Sequence, residues 1–409
     1  MLRHFKREFN FISGNILILL IVWAVTDFAH FLPDTYYSLY VESLGASPQI
    51  IGSILSASLF IMAFLQLAGG YWADKRGRKI IIVATSFARA LIYIIFATAP
   101  TWHFILFGEM LVGVVALSHP AMSALVADSL PPDKRGLGYS LSMLAGVTSI
   151  LSPVVAGILY IKYGLVVGVR TAYLIVSICW LTSGVMFLKL EETLKLEKAE
   201  ASLTKFWREY PKVFKECLTV WKFVPKTMLY LFLIFTPLMF FVRMCMPYYV
   251  LYANRFLKVD EFQWAVLQTV YSITFYCLLL PVGKMVDTFG RKKPLILSSV
   301  SGAIGMALFL HGHPLELYLF SMFSAACNAL AFTAYPSMQT DLTPKEYRGK
   351  LTGLSNFSDC VLGSIALLSG GILYEAVSPI APFLLLLAAM VLTAITTAIF
   401  VAEPQKKEV

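Results

Sequence analysis

The sequence predicts an all-α membrane protein with twelve transmembrane helices in two pseudo-symmetric six-helix halves. Three observations lead there. First, 58% of the 409 residues are hydrophobic and 14% are charged, with a mean hydropathy of +0.74, whereas a soluble domain carries roughly 25% charged residues. Second, apolar segments of about 20 residues, the length that crosses a bilayer, follow one another along the whole chain. Third, two unrelated loop patterns each occur twice at one separation. Gly70-Tyr-Trp-Ala-Asp74-Lys-Arg-Gly77-Arg78-Lys79 returns as Gly283-Lys-Met-Val-Asp287-Thr-Phe-Gly290-Arg291-Lys292. Asp128-Ser-Leu-Pro131-Pro-Asp-Lys-Arg135-Gly136 returns as Asp341-Leu-Thr-Pro344-Lys-Glu-Tyr-Arg348-Gly349. The two copies of each pattern are 213 residues apart, so the chain reads as an internal duplication.

The elements fall in order. Arg3, Lys6 and Arg7 precede the apolar run Ile16–Val25. No small-residue cleavage site follows, so this reads as an uncleaved first span rather than a signal peptide. Span 1 is expected near 14–43 and span 2 near 49–73. The loop after span 2 holds one acid, a glycine and four bases and belongs in water. Spans 3 to 6 are expected near 79–99, 102–128, 136–162 and 169–189. Residues 190–225 differ in composition, with Glu191, Glu192, Lys195, Glu197, Lys198 and Glu200 forming a solvated run. Beyond it, Leu203, Phe206, Trp207, Tyr210, Val213, Phe214, Cys217, Leu218 and Trp221 recur at helical spacing opposite Lys205, Arg208, Lys212 and Lys215. That pattern predicts an amphipathic helix on the inner leaflet. Spans 7 to 12 are expected near 226–254, 261–286, 293–312, 315–341, 349–375 and 379–402. The domains are therefore 1–189, a linker over 190–225, and 226–409.

Lys and Arg gather in the loops at 74–79, 133–136, 290–293 and 345–350, at the N-terminus and in the tail. The loops near 44–48, 99–102, 311–316 and 375–379 carry none, and only Lys162, Arg170, Arg255 and Lys258 lie on that side. Basic loops stay cytoplasmic, which places both termini inside and the protein in the cytoplasmic membrane as a multi-pass chain. The same asymmetry accounts for the net charge of +9, so no nucleic-acid partner is expected. The six cysteines are scattered without metal spacing. His311 and His313 have no further ligand beside them. Neither a metal nor a cofactor is expected. No G-x-x-x-x-G-K-[ST] loop and no nucleophile–base constellation occurs, which argues against ATP-driven transport and against an enzyme.

The repeated G-x-x-x-D-x-x-G-R-K loop in a chain of this hydropathy resembles the major facilitator superfamily of secondary transporters, along nearly its whole length. The resemblance implies alternating access between two six-helix halves, each built from inverted three-helix repeats. It implies a cytoplasmic latch in which Asp74 meets a helix N-terminus, where the dipole favours an anion. Arg78 and Arg135 can pair with Asp128, and Asp287 with Arg291 makes the second copy. The family's antiporter pattern Gly-x-x-x-Gly-Pro is met here by Ser152-Pro153, and its R-x-x-x-G by Glu109-x-x-x-Gly113. Both departures weaken a simple antiporter assignment.

Charged groups at mid-bilayer cost at least about 2.5 kcal/mol each and need a reason. Span 1 offers Asp27, His30 and Asp34, with Trp23 and Tyr37 extending the same stripe. Spans 1, 4, 7 and 10 line the central cavity in the resembling family. The candidate substrate and proton cavity is therefore Asp27, His30, Asp34, Tyr37, Glu109, Arg243, Gln268, Asn328, Tyr335 and Asp359. A carboxyl in a cavity that is alternately wet and dry can load and release a proton, and Asp27 or Glu109 would do so, with His30 sharing it. Arg243 either holds an anionic group of the substrate or clamps Asp359. Arg89 is expected in a structural ion pair with Asp27 or Glu109, and His119 as a packing group.

The expected function is secondary transport of a small molecule by a monomer embedded in the lipid bilayer. Proton-coupled export of lipophilic or cationic compounds suits the acidic stripe and the many aromatics. Transport of an anionic or polar metabolite held by Arg243 is the alternative, and a non-transporting sensor a third.

Overall fold

The computed structural model describes residues 12–131, 135–194 and 219–403. The predicted amphipathic linker helix, the basic N-terminus and the Lys406–Lys407 tail lie outside the described residues. Among those described, every regular element is helical. Eleven helical stretches are long and apolar enough to cross a membrane. One of them, Leu141–Phe187, has 47 residues. At 1.5 Å per residue it would extend roughly 70 Å, more than twice the hydrocarbon thickness. It is two spans. Gly164 divides it with φ 73° and ψ 177°, a conformation without helical hydrogen bonding that suits glycine. Twelve spans result, as the hydropathy pattern predicts.

Prolines and small residues interrupt several spans. Span 1 is Gly14–Asp34 followed by Tyr37–Ser43, and the break comes just after Pro33. Span 7 mirrors it: Lys226–Cys245, a 3₁₀ turn Met246–Tyr248 containing Pro247, then Tyr249–Arg255. Span 4 parts into Trp102–Val115 and Ser118–Ser129, ahead of Pro120. Span 5 begins as Arg135–Ala145, tightens to 3₁₀ over Gly146–Ile150, and resumes at Leu151 before Pro153. Spans 2 and 3 are Pro48–Arg76 and Arg78–Thr98. Spans 8 to 12 are Glu261–Phe289, Lys292–His311, Pro314–Leu342, Arg348–Ile372 and Ala381–Phe400, and a π-helical turn Leu373–Val377 closes span 11.

The chain forms two compact units, residues 1–45 with 57–208, and residues 46–56 with 209–409. In unit 1 the ends of spans 1 and 3 and the start of span 6 are held by an aromatic cluster of Tyr40, Tyr93, Phe96 and Tyr173. The Tyr40 hydroxyl donates to the Phe96 carbonyl at 2.8 Å. Arg170 donates to the Ala99 carbonyl at 2.7 Å, satisfying the end of span 3. In unit 2, Tyr249, Tyr252, Phe309, Phe320 and Phe383 form the matching cluster. The first turns of span 2 belong to unit 2. There the Gln49 amide donates to Glu375 at 2.9 Å and the Tyr248 hydroxyl to the Pro48 carbonyl at 3.2 Å.

Candidate functional site

The span 1 stripe sits beside the interrupted part of span 5. Thr148 and Ser152 donate to the carbonyls of Ala24 and Phe28 at 2.6 and 2.7 Å. These two small polar residues hold the span 1 backbone on either side of Asp27. The Ser152-Pro153 departure from the family's glycine pattern is thus a helix–helix hydrogen bond. Asp27 is half-buried, while His30 and Asp34 are exposed. His30 Nε2 lies 3.7 Å from Asp34 Oδ2, one turn along. Tyr37 is buried on the far side of the break and its hydroxyl has no hydrogen-bond partner. It faces Glu109, as does Ser58. Of the predicted unit 1 residues, His30 therefore meets Asp34 and Tyr37 faces Glu109, while Asp27 lies one turn before His30 on the same helix.

Arg89 makes no ion pair with Asp27 or Glu109, contrary to expectation. Its guanidinium donates to His119 Nε2 at 3.2 Å and lies 4.8 Å above the Trp180 ring. The reason is local. Span 4 breaks at Ala116–Leu117, and the new helix starting at Ser118 presents His119 to spans 2 and 3.

In unit 2, spans 7, 10 and 11 enclose a cavity of about 670 Å³. Arg243, Asn328, Tyr335 and Asp359 all line it, with Phe232, Phe235 and Phe332 supplying apolar wall. Arg243 donates to Asp359 at 2.9 Å, so the clamp is the arrangement seen. Asn328 turns its amide to the Ser324 carbonyl at 3.0 Å, and Tyr335 packs on Phe235. Gln268 is not among the lining residues. Among the polar wall residues that sequence reasoning missed, Gln339 Nε2 and Ser355 Oγ are buried without hydrogen-bond partners. A single Gln or Ser in an apolar run gives no signal that it faces a cavity.

The repeated loops build matched corners. Gly77 and Gly290 have φ of 95° and 85°, which explains why the pattern needs glycine there. Arg78 pairs with Asp128 and also donates to Thr193 at 3.0 Å. Arg291 donates to Asp341 at 2.9 Å and to the Val286 carbonyl at 3.0 Å. Asp287 lies 3.8 Å from Arg291 and its side chain is 72% exposed. The side chains of Asp74 and Arg135 lie outside the described residues. Asp341 is a further functional-looking residue that sequence reasoning left unassigned, although the 213-residue offset pointed to it. Glu192 is a correction. It does not stand in a solvated run but accepts from the Lys79 amide at 3.0 Å, at the start of span 3. Glu403 does the same at span 9, accepting from the amides of Arg291 and Lys292 at 2.6 and 2.8 Å. No group of three or more metal-ligating side chains is gathered among the described residues.

The family model of the Major Facilitator Superfamily matches residues 17–257 and 231–409. The chain belongs to the major facilitator superfamily. Members of this family are transporters, not enzymes. Among curated proteins, the chain is similar to multidrug resistance protein MdtG of Enterobacter lignolyticus (strain SCF1), 30% identical over 158 residues, or 37% of this chain and 38% of that protein. It is likewise 30% identical over 148 residues to MdtG of Salmonella typhi, 34% of this chain and 36% of that protein. The matches thus span under two-fifths of these relatives' length. Among solved structures, the nucleoside transporter NupG superposes with a TM-score of 0.70 at 14% identity, covering 94% of this chain and 98% of that one. The xylose transporter XylE from E. coli, in a partially occluded inward-open conformation, superposes with a TM-score of 0.69 at 16% identity, covering 97% of this chain and all of that one. At such identities the likeness is one of fold.

Proposed function

We propose that this multi-pass membrane protein of the major facilitator superfamily exports lipophilic or cationic compounds in exchange for protons, by alternating access. It acts as a monomer in the cytoplasmic membrane with both termini inside. Residues 1–189 and 226–409 are the two moving halves, and 190–225 connects them. The observation that carries this reading is the Asp27–His30–Asp34 stripe at the break of span 1. A carboxyl kept half-buried in a membrane span, beside an imidazole and another carboxyl, is suited to accept a proton or a cation. The names of the MdtG relatives point the same way. Arg78–Asp128 and Arg291–Asp341, with Asp74, Arg135 and Asp287, act at the cytoplasmic gate.

The test is proton flux in proteoliposomes under an imposed pH gradient. Lipophilic cations trigger proton release from wild-type vesicles, and Asp27→Asn abolishes it while the protein still folds. Undiminished coupled flux in the variant sinks the reading. A second reading, transport of an anionic metabolite, is favoured by Arg243 in the wall of the unit 2 cavity. It requires that organic anions trigger flux and that Arg243→Gln removes it.

A further inference from the structure

Arg89 stands roughly 16 Å from one end of span 3 and 14 Å from the other, at 1.5 Å per residue. It is therefore a mid-membrane cation. Successive residues turn by about 100° in a helix, which puts Arg89 on the side opposite the exposed apolar residues Ile80, Leu91 and Ile94. It faces the interior of unit 1, not lipid. None of the described ion pairs includes it.

Its neighbours are neutral. His119 Nδ1 lies 3.1 Å from the Gln66 side-chain amide, and Nε2 lies 3.2 Å from the guanidinium. A guanidinium only donates, so Nε2 accepts and the ring proton is on Nδ1. The structure sets Gln66 Nε2 against Nδ1, and turning that amide over brings its carbonyl oxygen to the ring N–H. The ring is thereby held as the neutral tautomer and brings no negative charge to Arg89. Trp180 offers its face, 4.8 Å away. The indole Nε1 of Trp180 is itself buried without a hydrogen-bond partner. A cation whose charge is uncompensated thus adjoins a side chain with an unused donor, and the His119 contacts on Gln66 and Arg89 are exposed rather than buried. An uncompensated mid-membrane charge calls for a counter-charge. The planar fork of a guanidinium matches the two oxygens of a carboxylate.

We propose that Arg89, positioned by His119 and Trp180, is an anion-accepting subsite of unit 1 that takes the carboxylate of an amphipathic organic substrate. The inference rests on the exporter reading and adds a second charge to its substrate class: a cationic centre for the span 1 stripe, a carboxylate for Arg89. Gln66 and His119 are positioning residues, since they touch Arg89 or its holder and not the ligand.

The test uses the full chain in lipid nanodiscs and two dyes that differ in one group, a rhodamine carboxylate and its methyl ester. Binding is read by fluorescence anisotropy. Arg89→Gln is expected to weaken the carboxylate dye about tenfold or more, the scale of a lost charge-assisted hydrogen-bond pair, with the ester unchanged. Arg89→Lys keeps the charge but loses the fork. It weakens the carboxylate dye severalfold and again spares the ester, which decides the matter if Arg89→Gln does not fold. Equal loss of both dyes, as when Arg89 merely neutralises an acid of the chain, overturns the inference. So does no loss of either. Failure of the wild-type protein to bind either dye overturns this inference, while the proton-flux assay in proteoliposomes decides the exporter reading separately.

Discussion

At its corner, unit 1 pairs Arg78 with Asp128, and unit 2 pairs Arg291 with Asp341, across the same 50 residues. An acid near the end of each unit's last span, Glu192 or Glu403, accepts from the first amides of span 3 or span 9. The interiors differ. Unit 2 neutralises its cation at once, Arg243 on Asp359. Unit 1 leaves Arg89 on a neutral histidine and an indole, with Asp27, Asp34 and Glu109 elsewhere. The contrast teaches which features duplication retains. Each half needs a loop anchored in water at the membrane edge, and the same glycine, arginine and acids serve both. Interior charges are costly wherever they stand, so each half keeps only those its own task requires.

Even the corners are unequal. The acid partner is 41% exposed in unit 1 and 18% exposed in unit 2. Arg78 Nε is buried without a partner, whereas Arg291 uses Nε and Nη1 in hydrogen bonds. The two arginines are buried to much the same degree, so the difference lies in the acids: the pair whose carboxylate is less solvated is less screened by water. Asp341→Ala is therefore expected to destabilise by about 3 kcal/mol. Asp128→Ala is expected to cost about 1–2 kcal/mol, since its carboxylate is already in part solvated. Thermal unfolding of the purified variants measures both, and equal shifts would break the comparison.

The interiors offer the next largest effect. Asp359→Asn leaves Arg243 uncompensated in the unit 2 cavity, as Arg89 is in unit 1. Affinity for organic anions should rise about tenfold, the scale of one charge-assisted contact. Equilibrium binding of an anionic dye reads this, and an unchanged affinity shows that Arg243 is not open to ligand. The smallest effect should be shared. Glu192→Gln and Glu403→Gln each weaken a helix N-terminus by about 1 kcal/mol. Unfolding midpoints that fall together sharpen the claim that the corners are equivalent, while a loss confined to one unit contradicts it.

Much of this was legible in the residues. Arg243 with Asp359 was one of two stated possibilities. The corner pairing in unit 1 follows from the loop pattern, whereas the interruption of span 1 after Pro33 was not expected. Other features were not. Arg89 was expected on an acid because charge alone was considered, and no periodicity shows that span 4 breaks at Ala116–Leu117 and turns His119 toward it. Glu192 looked like one more charge in a polar linker, since nothing local marks a carboxylate that caps a helix more than a hundred residues earlier.

The sequence by itself determined the solvent, the number of spans and the duplication. Hydrophobic length, loop charge and a constant offset are properties of the chain in one dimension, and a bilayer reads them directly. Only the tertiary structure decided which polar side chains meet. Each buried donor or charge has several acceptors within reach of its sequence pattern. Which one it takes depends on where proline, glycine and 3₁₀ turns redirect a helix by a fraction of a turn, and that is settled by the packing of neighbouring spans.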